Sequence, residues 1–315
     1  MTMKKGLICL SIVAIVVFCT LNVATASTGN YSTTFHNNAR HTGGHIPMAR
    51  DSISNWNSVT KGILASRATP NGIVYVGSRD SNVYALDAAT GEMIWSYTTD
   101  DAVRSSPAVA NGIVYIGSND HNIYALNANT VKMVWSYATG DRVYSSPAVA
   151  NGIVYVGSND HNVYALNATT GTLLWSYATG DLVYSSPAVA NGIVYVGSND
   201  HNVYALNATT GKKAWSYATG NLVYSTPAVV NGIVYVGSGD YNVYALNATT
   251  GAKVWSYVTG DIVRSSPAVA NGIVYIGSND HNVYALNANN KGAKVWSYAT
   301  GDAVFSSPAV ANGIG

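Results

Sequence analysis

Arg104, Tyr144, Tyr184, Tyr224, Arg264 and Phe305 recur at intervals of 40 or 41 residues, and Arg142 stands two residues before Tyr144. Aromatic rings stack on flat ligands, and a guanidinium donates several hydrogen bonds in a fixed fork. A set of this kind suits a sugar, a peptide or another flat ligand, and these seven residues form the candidate ligand face. The alternative is drift among packing residues in a wide loop. The place of Arg142 is taken by Ala102, Leu182, Leu222, Ile262 and Ala303 in the other copies.

A second recurring set raises the question of a metal. Asp80, Asp120, Asp160, Asp200, Asp240 and Asp280 keep the same interval, and His121, His161, His201 and His281 follow four of them. Packed sheets stand about 10 Å apart, whereas zinc ligands lie roughly 2 Å from the ion. The residues are therefore expected to build turns, where Asp and Asn bond to their own backbone. His36, His41 and His45 make a looser group near the N-terminus; no metal site is assigned. Glu92 is the only glutamate, and the two cysteines, Cys9 and Cys19, fall in an apolar N-terminal stretch. No acid, base or nucleophile stands out from the repeat background, as general acid–base chemistry requires. The expectation is a protein without catalysis and without a cofactor.

What must position these side chains is a repeat. Asn-Gly-Ile-Val-Tyr begins at Asn71, Asn111, Asn151, Asn191, Asn231 and Asn271. Tryptophans keep step at Trp95, Trp135, Trp175, Trp215, Trp255 and Trp296. The last interval is one longer because Asn289-Asn290-Lys291-Gly292 replaces a shorter Thr249-Thr250-Gly251. A period near 40 means a solenoid, a propeller or an array. Within one unit, Ser185–Ala190 reads as strand A, Asn191-Gly192 as a tight hairpin turn, Ile193–Gly197 as strand B, Val203–Leu206 as strand C and Lys213–Tyr217 as strand D. β-Branched runs cut by turn residues exclude a helical solenoid, and four antiparallel strands make one propeller blade. The fold class is all-β, a β-propeller of four-stranded blades. B–C turns then share one face of the disc with the D-to-A crossings, and A–B and C–D turns share the other.

Ala85-Leu86-Asp87-Ala88-Ala89-Thr90-Gly91-Glu92-Met93-Ile94-Trp95 resembles the tryptophan-docking motif of pyrroloquinoline-quinone (PQQ)-type propellers, Ala-x-Asp-x-x-Thr-Gly-x-x-x-Trp. It recurs with Asn for Asp from Ala165, Ala205 and Ala245, and in degraded form from Ala125 and Ala285. The resemblance covers about residues 56–313 and implies that each Trp wedges between neighbouring blades. Quinone dehydrogenases of this kind hold a Ca²⁺-bound quinone with a catalytic Asp and a Glu ligand. With one glutamate and with aspartates spread by the repeat, that activity is the weaker expectation. Phe35–Gly43 resembles the lead-in of secreted microbial members, archaeal surface proteins among them.

The chain divides into a signal peptide at 1–26, a lead-in at 27–55 and the propeller at 56–315. Lys4 and Lys5 precede the apolar run Leu7–Val23, and Ala24-Thr25-Ala26 fits a cleavage site. Only an uncleaved leader would bring a membrane into play. Without Lys4 and Lys5 the chain has 14 basic and 15 acidic residues and no basic patch, which argues against nucleic acid. Asn30, Asn167, Asn207 and Asn247 open N-glycosylation sequons. Trp56 reads as a lone strand D, giving six complete blades and a composite seventh; a fragment of an eight-bladed ring is the alternative. The function expected is a secreted or cell-surface scaffold that binds a protein or a glycan. A PQQ-dependent dehydrogenase and an envelope-assembly subunit are the alternatives.

Overall fold

In a computed structural model of the chain, residues 63–68 and 72–310 are described. The leader, the lead-in, Trp56, Asn30 and the histidines of the lead-in lie outside the described residues. Six four-stranded antiparallel sheets follow one another along the chain. Blade 1 holds β1 (Ile63–Ala68), β2 (Ile73–Ser78), β3 (Asn82–Asp87) and β4 (Met93–Thr98). Blades 2 to 6 hold β5–β8 (108–138), β9–β12 (148–178), β13–β16 (188–218), β17–β20 (228–258) and β21–β24 (268–299). In every blade the four strands serve in order as A, B, C and D.

The turn chemistry explains the hairpins. Asn191 and Gly192 both adopt positive φ, 50° and 74°. That is the type I′ conformation whose twist matches antiparallel strands. It sets the register of β13 on β14, with Ala190 opposite Ile193 and Ala188 opposite Tyr195. Strand A is shorter than the sequence suggests, only Ala188–Ala190 in blade 4. Pro187 has no N–H to pair, and the N–H of Gly197 donates instead to the Ser185 hydroxyl at 3.0 Å. A bulge in strand D places Trp215 opposite Ala205 and Lys213 opposite Leu206.

The hydrophobic cores lie between blades. Tyr195, Val203, Ala205, Trp215 and Val223 of blade 4 pack on Val229, Val234, Val236, Tyr244 and Leu246 of blade 5. Each buried Val or Leu contributes about 1.5–3 kcal/mol, so a blade is stable only beside its neighbours. Nearest the hub runs a belt of polar links. The N–H of Ser106 donates to Ser146 Oγ (2.9 Å), Ser146 to Ser186 (2.9 Å), Ser186 to Thr226 (3.2 Å), Thr226 to Ser266 (2.9 Å) and Ser266 to Ser307 (2.9 Å). Ser307 therefore continues the belt, but residues 307–310 form no strand. The other parts expected of a seventh blade, Trp56 and residues 311–315, lie outside the described residues.

Candidate functional site

The D-to-A crossings place their side chains by strict alternation. Val103, Val143, Val183, Val223 and Val263 are fully buried, as are Ser105, Ser145, Ser185, Ser225 and Ser265. The residue between each pair is turned outward: Arg104, Tyr144, Tyr184, Tyr224 and Arg264. The buried valines are pinned by backbone bonds to the B–C turn, such as Val143 N–H to Ser118 O at 3.0 Å. The two loops therefore share one face of the disc.

Six of the seven candidate ligand residues form one continuous stack. The Arg104 guanidinium lies 5.2 Å above the Tyr144 ring. Tyr144 stacks on Tyr184 at 5.3 Å and 20°, and Tyr184 meets Tyr224 at 5.7 Å. Arg264 lies 5.1 Å from the Tyr224 centroid and 5.8 Å from that of Phe305, bridging the two. Arg142 joins from the side, its Nη1 donating to the Tyr144 hydroxyl at 3.4 Å. That bond raises the Arg142 pKa above its ordinary value. Burial pushes the Tyr184 hydroxyl up, Tyr144 and Tyr224 add to this, and a hydrogen bond from Asn159 opposes it. Tyr144 lies over one face of Tyr184 and Tyr224 meets it at a tilt of 49°, so an incoming ligand meets chiefly ring edges, hydroxyls and the in-plane N–H groups of the arginines.

The aspartates of the B–C turns are committed elsewhere. Asp200 Oδ1 accepts the N–H of Asn202 (3.0 Å), and Oδ2 accepts the Tyr204 hydroxyl (2.6 Å) and the N–H of Gly180 from the preceding crossing (2.6 Å). Burial would raise the Asp200 pKa, but these bonds outweigh it and hold the carboxyl below its usual range. His121 occupies a left-handed turn position, φ 73°. Its Nε2 lies 3.7 Å from Asp141 Oδ1 in the following crossing. Among the described residues no three of His, Cys, Asp and Glu gather as a metal site. Calcium takes roughly six to eight oxygens around one point, so turn carboxylates held one to a blade do not fit a Ca²⁺-bound quinone.

The tryptophans lie between blades. The indoles of Trp95, Trp135, Trp175, Trp215 and Trp255 donate to the carbonyls of Ala128, Ala168, Ala208, Ala248 and Ala288 of the next blade, at 2.7–3.2 Å. Trp296 makes no such bond among the described residues and is exposed. On the far face of the disc, Asn167, Asn207 and Asn247 accept two backbone N–H bonds each in Asx turns. Sequence reasoning missed the serine belt, the Asp–Tyr pairs and the charge polarity. Every described aspartate except Asp87 lies on the ladder face, while every described lysine lies in a C–D turn or at the start of a strand D. The signal for that polarity was available once each turn had been assigned its face.

Residues 55–232 match a family model described as the beta-propeller of the beta-alanine-activating enzyme. The chain belongs to this propeller family. Residues 223–313 of the propeller also match a PQQ-repeat model described as outer membrane protein assembly factor BamB. No curated protein matches it by sequence. Among solved structures, BamB from Moraxella catarrhalis is similar at TM-score 0.67 and 23% identity, over 75% of this chain and 76% of that one. The computationally designed Ika8 protein gives 0.71 and 20%, over 78% and 76%. A europium-containing methanol dehydrogenase gives 0.67 and 14%, over 80% and 70%. At these identities the likeness is one of fold, and with the PQQ-repeat match it makes the chain a PQQ-like β-propeller.

Proposed function

We propose that this propeller is a non-catalytic scaffold of the cell surface or exterior that binds a protein or glycan through the ladder of its D-to-A crossings. The observation that carries this reading is the unbroken stack Arg104–Tyr144–Tyr184–Tyr224–Arg264–Phe305. The rings brace one another, so little side-chain freedom is lost when a partner docks. The exposed edges supply hydroxyl and guanidinium donors, which suit sugar hydroxyls and peptide carbonyls. An acidic surround disfavours polyanions. The family description names an enzyme; in this reading the chain contributes recognition and not the reaction, since its turn aspartates are engaged in structural bonds.

The test is a binding screen of the purified chain against glycans and extracellular proteins, repeated with Tyr144, Tyr184 and Tyr224 changed together to Phe and, separately, to Ala. The Phe set should weaken a ligand bonded to all three hydroxyls at least about tenfold, at roughly 0.5–1.5 kcal/mol for each lost bond. Unchanged binding by both sets would end the proposal. A second reading, an envelope-assembly subunit, is favoured by the match of residues 223–313 to the assembly-factor model. It predicts capture of an outer-membrane protein and indifference to glycans.

A further inference from the structure

Large apolar side chains face water at the start of strand D. Met133 and Val134 of blade 2 are 50% and 46% exposed, and Leu173 and Leu174 of blade 3 are 45% and 47% exposed. The bulge is the cause. In β12 (Leu173–Ala178) Leu173 lies opposite Leu166 and Trp175 opposite Ala165, so Leu174 has no partner across the ladder. Side chains of a regular strand alternate between faces, and a bulge breaks that alternation. Both residues ahead of the buried Trp therefore turn out to the rim. In blades 4 and 5 the first of these two places holds Lys213 and Lys253, also exposed. The place thus takes a long side chain, apolar or cationic, and never an acid. Blades 2 to 5 each pack between two described neighbours, so the rim is exposed there although both flanks are covered.

Charge narrows the occupant. Every described lysine lies at this end of the strands, and the described carboxylates there are Asp87 and Glu92 of blade 1. The other described aspartates lie on the ladder face. The disc is therefore basic along its C–D rim and acidic around the ladder. Apolar side chains interspersed with lysines match the boundary of an anionic bilayer. There apolar groups enter roughly 5–10 Å, and lysines reach the lipid phosphates while their methylene stems stay in the apolar layer. An acidic polysaccharide would satisfy the lysines but give the leucines nothing to bury against. The same bilayer repels the acidic face, which fixes the orientation with the C–D rim inward and the ladder outward.

We propose that the disc rests on anionic lipid bilayers through the C–D rim of blades 2 to 5, with Met133, Leu173 and Leu174 entering the headgroup region and Lys132, Lys212 and Lys213 meeting lipid phosphates. This does not depend on what the ladder binds, and it is a route to the membrane separate from the leader. The test is flotation of the full chain with phosphatidylcholine vesicles, with and without phosphatidylglycerol. Binding should require phosphatidylglycerol and fall as salt is raised. Leu173→Ser with Leu174→Ser should weaken it on the order of tenfold. Lys212→Gln with Lys213→Gln should weaken it about fivefold for each lysine removed. Thermal unfolding should be unchanged in both. Because the run Leu7–Val23 is itself apolar, a local readout separates the rim from the leader. With Cys9 and Cys19 changed to Ser, an environment-sensitive fluorophore on Leu174→Cys should shift to the blue on these vesicles. The same fluorophore on Asp181→Cys of the ladder face should not. A fluorophore at 174 that stays in water, an equal shift at 181, vesicle binding indifferent to both pairs of substitutions, or capture of an acidic polysaccharide but no bilayer would each overturn the proposal.

Discussion

Tyr195 and Trp215 of blade 4 donate to one and the same acceptor, the carbonyl of Ala248 in blade 5, at 3.1 and 2.9 Å. The arrangement recurs at Ala168 and Ala208. Two donors on one buried carbonyl provide redundancy. Trp215→Phe or Tyr195→Phe alone should lower stability by about 1 kcal/mol, the usual net worth of a hydrogen bond. The double variant should cost more than the sum, because only then is a buried carbonyl left without a partner. Urea denaturation of the four proteins closes the cycle.

Gly211 and Gly192 separate packing from backbone strain. Both have positive φ, 69° and 74°. A Cβ on Gly211 would meet the Trp175 ring at 2.7 Å, whereas one on Gly192 would meet nothing within 4 Å. Gly192→Ala should cost about 1–2 kcal/mol from the left-handed backbone alone. Gly211→Ala should add a further ~1–3 kcal/mol of overpacking. Equal losses for the two variants would show that the indole shifts freely.

Stability should fall at both ends of the pH scale. Asp80, Asp200, Asp240 and Asp280 are held below their ordinary pKa, where hydrogen bonds overcome the opposing effect of burial. Groups of depressed pKa contribute stability above their unfolded value near 4, and lose it as pH falls toward the folded one. Burial pushes Tyr155 and Tyr195 up to about 12. Their contribution is complete below pH ~10 and is lost as pH rises toward the folded value. Melting temperature against pH should show a plateau between these limbs, and Asp200→Asn should flatten the acid limb.

Ser186→Ala would deprive the buried N–H of Ser146 of its acceptor, which bonds at 2.9 Å. A loss of about 1–3 kcal/mol is expected from an unsatisfied buried donor. Ser186→Thr should be tolerated, because Thr226 fills the same place one blade later and accepts in the same way. Thermal melts of the two variants check the contrast.

Much of this architecture can be read from the residues themselves. Asn191-Gly192 fixes a turn by local conformation, and Ile193–Gly197 fixes strand B by composition, so neither needs a neighbour. The identities of the ladder residues are equally visible, since Tyr184 and Arg264 occupy one place in successive repeats. That they touch is not visible, because their spacing depends on the wedge angle between whole sheets. Ser-Ser-Pro looks like the opening of a strand; only the assembled hub shows its hydroxyls reaching 40 residues along the chain. The exposure of Trp296 is hidden for the same reason, as its local sequence, Val-Trp-Ser-Tyr, is identical to that of buried Trp255.

The belt from Ser106 to Ser307 has a consequence for how many sheets a ring of this kind can hold. Each link joins neighbours at the smallest radius, where a given change of angle moves atoms least, so the bonds of the belt survive a range of angles between sheets. The wide outer edge absorbs irregularity readily: the additional residue near Lys291 leaves Gly292 beneath Trp255. The hub therefore ties neighbouring sheets together without fixing the angle between them, and the angular pitch is left to the side chains wedged between sheets farther out, such as Trp215 against blade 5.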